Sequence, residues 1–344
     1  MSANKRFGKR LLDGLYSVIP VVQDPPREWV RKLAFLMALL VFIGAGYLLL
    51  EEVWWHPARM NTAADTLRDW HQPQEEDPSD TPEEEQDPTV YPDGIDPSFK
   101  TLYRNNNDVR GWLTFKAGDG AQDLFEGAIN NPVMQTTDND YYLDRDFWCE
   151  YDKAGTLYFD YRNDLNMGAV NRNLIIYGHN IKSGLMFSRF NRLVSGDVTR
   201  ARQLTTLSLD TLYDQRTYKV FAVAVFNVQE DEGPVFNYLR TRFSSEKDFL
   251  TFVSEIRRRS LYTFGDVDVQ EGDELLVMSS CTNRRESHLK DGRVAVFARR
   301  VREGEEVTVD VTKTVKNDNV LMPMAWYENQ GLTVPEDYAS FAAE

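Results

Sequence analysis

The chain has 344 residues, enough for one large domain or two small ones, and its 42% hydrophobic content with 19 Phe, 16 Tyr and 7 Trp supplies a full core. A formal net charge of −15 excludes a nucleic-acid partner, because a phosphate-binding surface needs clustered Lys and Arg. With only two cysteines, Cys149 and Cys281, there is no disulfide framework, and with no CxxC, HExxH or His-rich tract neither a metal site nor any cofactor is implied.

In chain order, the first 32 residues are basic, with Lys5, Arg6, Lys9, Arg10, Arg27, Arg31 and Lys32. Residues Leu33 to Leu50 read LAFLMALLVFIGAGYLLL with no charge. At about 1.5 Å per residue this helix spans roughly 27 Å, close to the hydrocarbon thickness of a bilayer. Glu51 and Glu52 follow, then Trp54 and Trp55 at interfacial depth. The positive-inside rule therefore puts residues 1–32 in the cytoplasm and the bulk of the chain outside. A cleaved signal peptide has a shorter apolar run with a small-residue site close behind it, and a buried core helix is rarely apolar on every face. The reading is a single transmembrane signal anchor.

Residues 51–96 are expected to form an extracellular stalk. Their centre, QPQEEDPSDTPEEEQDPTVYPDGID, is rich in Glu, Asp and Pro and lacks Lys and Arg. Its like charges repel, and it has too little apolar surface to offset ordering.

Residues 97–302 read as a globular domain. LYRNNNDVRGWLTF predicts a short helix turning into a strand. Further strands are expected at Thr156–Tyr161, Asn173–Tyr177, Tyr218–Phe226, Glu274–Met278 and Arg293–Arg300. Between them lies one long helix. Ser245 and Asp248 have capping-box spacing, and Phe249, Phe252, Val253 and Ile256 follow at i, i+3, i+4 and i+7. Arg257, Arg258 and Arg259 close it, where cations suit the helix dipole. The fold class is mainly β (α+β), mostly antiparallel with a few inserted helices. Residues 303–344 form a C-terminal extension in which VTVDVT, Val307 to Thr312, alternates and predicts another strand.

Three strand ends carry the candidate chemistry. Cys281 ends the run ELLVMSSC, and Arg293 opens RVAVFARR. If these strands are antiparallel neighbours, the end of one and the start of the other share an edge. His179 follows NLIIYG. A thiolate nucleophile needs an imidazole to protonate its leaving amine, and its tetrahedral intermediate needs a fixed donor, which Arg supplies without losing charge. Singly, each residue has a plain structural reading: a small buried Cys, a satisfied His, a surface Arg.

The run NLIIYGHNIKSGLMFSRF closely resembles the histidine-bearing segment of class B sortases. NNPVMQTTDNDYYLDRDFW and GTLYFDYRND resemble the strands that precede it, and SSEKDFLTFVSEIRRRSLY resembles the long helix that class carries before its cysteine strand. The order His, Cys, Arg also matches; papain-like hydrolases place Cys before His. The resemblance covers roughly residues 97–302 and implies a closed sortase-type β-barrel with an N-terminal helix. It makes Cys281 the nucleophile, His179 the general acid/base and Arg293 the oxyanion stabiliser of a cysteine transpeptidase. The implied partners are a surface protein or pilin with a sorting signal cleaved after Thr, and a peptidoglycan-precursor or pilin amine. The implied location is the outer face of a Gram-positive-type cell membrane. A pilus polymerase and a catalytically silent sortase-like binding module are the alternatives.

The sequence departs from the class at several points. Its TLxTC signature stands here as Val277-Met278-Ser279-Ser280-Cys281; Ser280 keeps a hydroxyl where Thr is expected and is assigned to substrate binding. The following loop, TNRRESHLKDG, is long and basic, and with no acid next to Cys281 no Asp is assigned to the site. His288 is expected on that loop's surface, and Cys149, in DFWCEYD, as a structural residue or a free surface thiol.

Overall fold

The computed structural model describes residues 18–71, 89–116, 129–181, 186–336 and 338. The chain divides into two compact units, residues 1–63 and 64–344. In the first, Pro25 and Pro26 open helix α1 (Pro26–Leu50), proline at the first turn being free of the donor it lacks. Its apolar stretch is unburied by any part of the protein, as a candidate membrane span should be. Residues 51–71, the start of the expected stalk, are helical: a π-helical turn at Glu51–Trp55 leads into α2 (His56–His71). Residues 72–88 of the stalk lie outside the described residues.

In the second unit the last turns of α2 bury Leu67 against Phe99, Leu102 and Trp112. His71 stacks on Trp112, ring centroids 4.3 Å apart. A short helix α3 (Lys100–Asn105) then turns into β1 (Val109–Lys116), the order LYRNNNDVRGWLTF predicts. Strands β2 (Asn130–Met134), β3 (Leu157–Phe159), β4 (Asn173–Tyr177), β5 (Thr206–Thr211), β6 (Gln215–Asn227), β8 (Leu275–Cys281) and β9 (Gly292–Arg300) complete a closed barrel in the order β1-β2-β3-β4-β8-β9-β6-β5. A one-turn helix α4 (Val198–Ala201) precedes β5, and β7 (Tyr262–Phe264) lies outside the barrel. Most pairings are antiparallel; β2–β3 and β4–β8 are parallel.

The central strands read as unbroken apolar runs because both faces are buried, one by the barrel interior and one by covering elements. Helix α5 (Glu246–Arg259) covers part of the outer face. The Asp248 N–H donates to Ser245 Oγ at 3.1 Å, and Phe249, Phe252, Val253 and Ile256 pack on Phe221, Leu275, Val277 and Phe297. Both features follow the predicted cap and apolar spacing.

The C-terminal extension differs from expectation. Val307–Thr312 is not a strand: the Asp310 N–H donates to the Asp266 carboxylate, and Val311–Lys313 forms a 3-10 turn. Pairing begins later, with β10 (Thr314–Lys316) antiparallel to β7. Alternation alone makes a strand only where a partner edge is offered, and the edge here faces Thr314, not Val307. The chain then bonds Leu321 N–H to Arg258 O and enters α7 (Met324–Asn329).

Candidate active site

The apolar run of β8 anchors the strand, and only its last residue, Cys281, is exposed. In the β8–β9 ladder Cys281 lies directly opposite Arg293, so their side chains stand side by side on one face. On the other flank β4 runs parallel to β8, with Tyr177 level with Ser279. The Gly178 N–H continues that ladder to Ser279 O at 3.2 Å, which brings His179 level with Cys281. The strand order β4-β8-β9 thus sets His179, Cys281 and Arg293 in one row across three adjacent strands, with the thiol in the middle. Two of the three links, the antiparallel edge and the strand-end histidine, are legible in the sequence; the parallel pairing is supplied by barrel closure.

The imidazole is oriented by Leu143, whose carbonyl lies 2.6 Å from His179 Nε2. A carbonyl only accepts, so Nε2 carries the proton and Nδ1 is left to take or give the second one. Among the described residues no hydrogen bond joins the Cys281 thiol to this ring. Arg293 Nη1 donates to the Asp291 carboxylate and, at 3.1 Å, to Gly292 O. Burial works to lower the Arg293 pKa, but Asp291, the Cys281 thiolate and Tyr238 outweigh it and the guanidinium titrates above its ordinary range. The bond from Arg293 in turn holds the Asp291 carboxyl below the usual carboxylate range. The sequence assigns no Asp to the site, and Asp291 is the acid that the structure places against Arg293. It lies ten positions after Cys281 and reaches the site through the turn into β9, a path hidden in the linear sequence.

Tyr238 shares a hydrogen bond with Ser279 at 2.9 Å, and burial pushes its hydroxyl up to about 12. Tyr158 is raised as well, by burial first and then by nearby Asp140 and Cys281. Strand alternation turns Ser280 to the face opposite Cys281, where it is 3% exposed and, among the described residues, its hydroxyl has no hydrogen-bond partner.

The loop after Cys281 is braced from several sides. Helix α6 (Arg284–Ser287) opens it, and Ser287 and Leu289 are buried. The buried Glu232 carboxylate accepts the Lys290 N–H at 2.7 Å, and Asn329 Nδ2 donates to His288 O at 2.7 Å. His288 itself is exposed. Cys149 is a free, exposed thiol beside Tyr142 and Asn106.

A thiol, an imidazole and a guanidinium brought to neighbouring strand ends are the groups that can attack, protonate and stabilise an acyl centre. Comparison with known proteins agrees with that chemistry. A family profile described as a sortase domain matches residues 128–301. Sortase B of Listeria monocytogenes is 30% identical over 198 residues, covering 58% of this chain and 72% of that protein. Sortase B of Staphylococcus aureus is 27% identical over 205 residues, covering 60% and 75%. Among solved structures, sortase B from Bacillus anthracis in complex with AAEK1 superposes with a TM-score of 0.54 at 27% identity, covering 72% of this chain and 99% of that one. The closed barrel, the helix before the cysteine strand and these matches agree: the chain belongs to the sortase family of cysteine transpeptidases, in its class B.

Proposed function

We propose that Cys281, His179 and Arg293 carry a transpeptidation that cleaves a sorting signal after Thr and joins the new acyl group to an amine of the cell wall or of a pilin. The observation that carries this reading is the register of β4, β8 and β9, which pairs Cys281 with Arg293 and brings the end of β4, just before His179, level with Ser279. The Cys281 thiolate adds to the Thr carbonyl carbon, the C–N bond to the next residue breaks, and His179 gives its proton to the departing amine. An incoming amine then adds to the thioester carbon, surrenders a proton to His179, and the C–S bond breaks to restore the thiolate.

The oxyanion role of Arg293 has support in what the backbone does. The Thr282 N–H donates to Gly292 O and the Asn283 N–H to Asn191 Oδ1, both at 3.0 Å, so the two amides that follow the nucleophile are already engaged. The guanidinium of Arg293, opposite Cys281 in the ladder, is then the donor assigned to the oxyanion. Ser280 is not retained among the substrate-contacting residues, because its side chain leaves the face that the thiol uses.

The stretch from Leu33 to Leu50 is read as a single-pass anchor with the basic terminus in the cytoplasm and the catalytic domain outside. The test uses the detergent-solubilised full chain, a panel of sorting-signal peptides and two amines, a peptidoglycan-type cross-bridge and a pilin-type lysine peptide. Mass spectrometry should find a thioester on Cys281, absent in Cys281→Ala and converted to an amide by one of the amines. Full turnover by Cys281→Ala would refute the reading.

A further inference from the structure

We propose that Asn191 is a positioning residue that locks the nucleophile to the histidine loop, an inference that rests on the reading of Cys281 and His179 as the catalytic pair. Asn191 sits in the 3-10 turn Ser188–Leu193, is 7% exposed, and directs both ends of its amide at the segment carrying the thiol. Its Nδ2 donates to Cys281 O at 3.2 Å, and its Oδ1 accepts the Asn283 N–H at 3.0 Å. One side chain thus bridges the backbone on both sides of Thr282, much as a neighbouring strand would, at the point where the β8 ladder ends.

The same segment also holds the histidine. The Phe187 N–H donates to His179 O at 3.2 Å, four residues before Asn191. The Phe187 ring fills the space beside Gly178: a Cβ there would lie 2.7 Å from the ring, so the residue before His179 has no room for a side chain. Phe187 stacks on Phe190 at 4.8 Å, and both are fully buried. A second link closes the ring from outside, where Asn180 Nδ2, next to His179, donates to Asn283 Oδ1 at 2.9 Å.

The carbonyl of the imidazole residue and the carbonyl of the thiol residue are therefore held by one short, packed segment. Among the described residues no hydrogen bond joins thiol to imidazole, so this scaffold sets their separation. Proton transfer and thiolate formation both depend steeply on that separation, and a misplacement of about 1 Å is enough to cost about 10²-fold in rate. A purely structural Asn191 would affect stability but not the thiol's reactivity.

The test measures alkylation of Cys281 by iodoacetamide across pH, followed at the Cys281 peptide by mass because Cys149 is also exposed, together with kcat and KM for peptide cleavage and the melting temperature. All use the detergent-solubilised full chain. Asn191→Leu should shift the alkylation profile and lower kcat about 10- to 100-fold, with KM changed by less than about threefold. Asn283→Ala, at an exposed position, should shift the profile the same way by a smaller factor. A lower melting temperature with unchanged alkylation profile and kcat in Asn191→Leu overturns the proposal. If that variant does not fold, an unchanged profile and kcat in Asn191→Asp, which keeps an acceptor for the Asn283 N–H but removes the donor to Cys281 O, overturns it alone. Loss of the peptide thioester in Cys281→Ala but not in these variants keeps the two questions apart: activity surviving in Cys281→Ala refutes the catalytic pair, whereas normal Asn191 and Asn283 variants refute only the bridge.

Discussion

Arg293 meets Asp291 and the Gly292 carbonyl through one nitrogen, and in the proposed reaction the rest of its planar fork would meet the oxyanion. A lysine keeps the charge but offers one compact ammonium that cannot serve both sides. Arg293→Lys is expected to lower kcat/KM about 10²-fold or more, within the range for losing an oxyanion donor. Steady-state cleavage of the cognate peptide checks this, and near-normal turnover would remove Arg293 from the role. At this scale Cys281, His179 and Arg293 were legible, because strand ends can be read from apolar runs. Asp291 and Asn191 were not, since neither carries its meaning in its neighbours; each acts through a hydrogen bond made by the folded chain.

Among the elements, β4 is held by a buried network just before it delivers His179. Asp160 is fully buried and takes two bonds from the Arg162 guanidinium and one from the Tyr177 hydroxyl, at 2.7 Å each, besides the Arg162 N–H at 2.9 Å. Burial pushes its carboxyl upward, yet Arg162 and Tyr177 outweigh that and hold it below the usual carboxylate range. A depressed carboxylate contributes stability that is present above its unfolded pKa and lost as pH falls through the folded one. Asp160→Asn is therefore expected to cost about 2–3 kcal/mol at neutral pH, the low end for breaking a buried pair because Arg162 reaches solvent. It should also flatten the loss of stability below about pH 4. Urea melts across pH 3–7 would show both effects, and an unchanged acid slope would assign the acid sensitivity to other carboxylates. Helix α5 was the most legible element, with cap and buried face as its spacing requires. The segment from Val307 to Thr312 was the least, because the alternation of a strand says nothing about whether an edge awaits it.

Across the whole molecule, the last turns of α2 belong to the catalytic unit, and the extension beyond β9 also packs upon it. The extension pairs β10 with β7, crosses the end of α5 and reaches the His288 carbonyl through Asn329. The full chain is expected to fractionate with membranes, and a fragment starting at Ala64 to remain in the soluble fraction. A fragment starting at residue 89 should be less stable than that one by about 2 kcal/mol, the order of burying one Leu-sized side chain, because Leu67 no longer covers Trp112. Recovery of the uncleaved full chain from the soluble fraction would eliminate the anchor. Equal denaturation midpoints for the two fragments would show that the α2 contact is idle.

The sequence by itself determined the apolar candidate span, the mainly β class, the capped helix α5 and the strand-end positions of three residues, because each is written in local periodicity and composition. Only the tertiary structure decided that β4 and β8 run parallel side by side, that Ser280 turns away from the thiol's face, and that Asp291 and Asn191 reach the site. The physical reason is register. Which residues stand level across a closed barrel depends on how all of its strands pair at once, and no single segment contains that information.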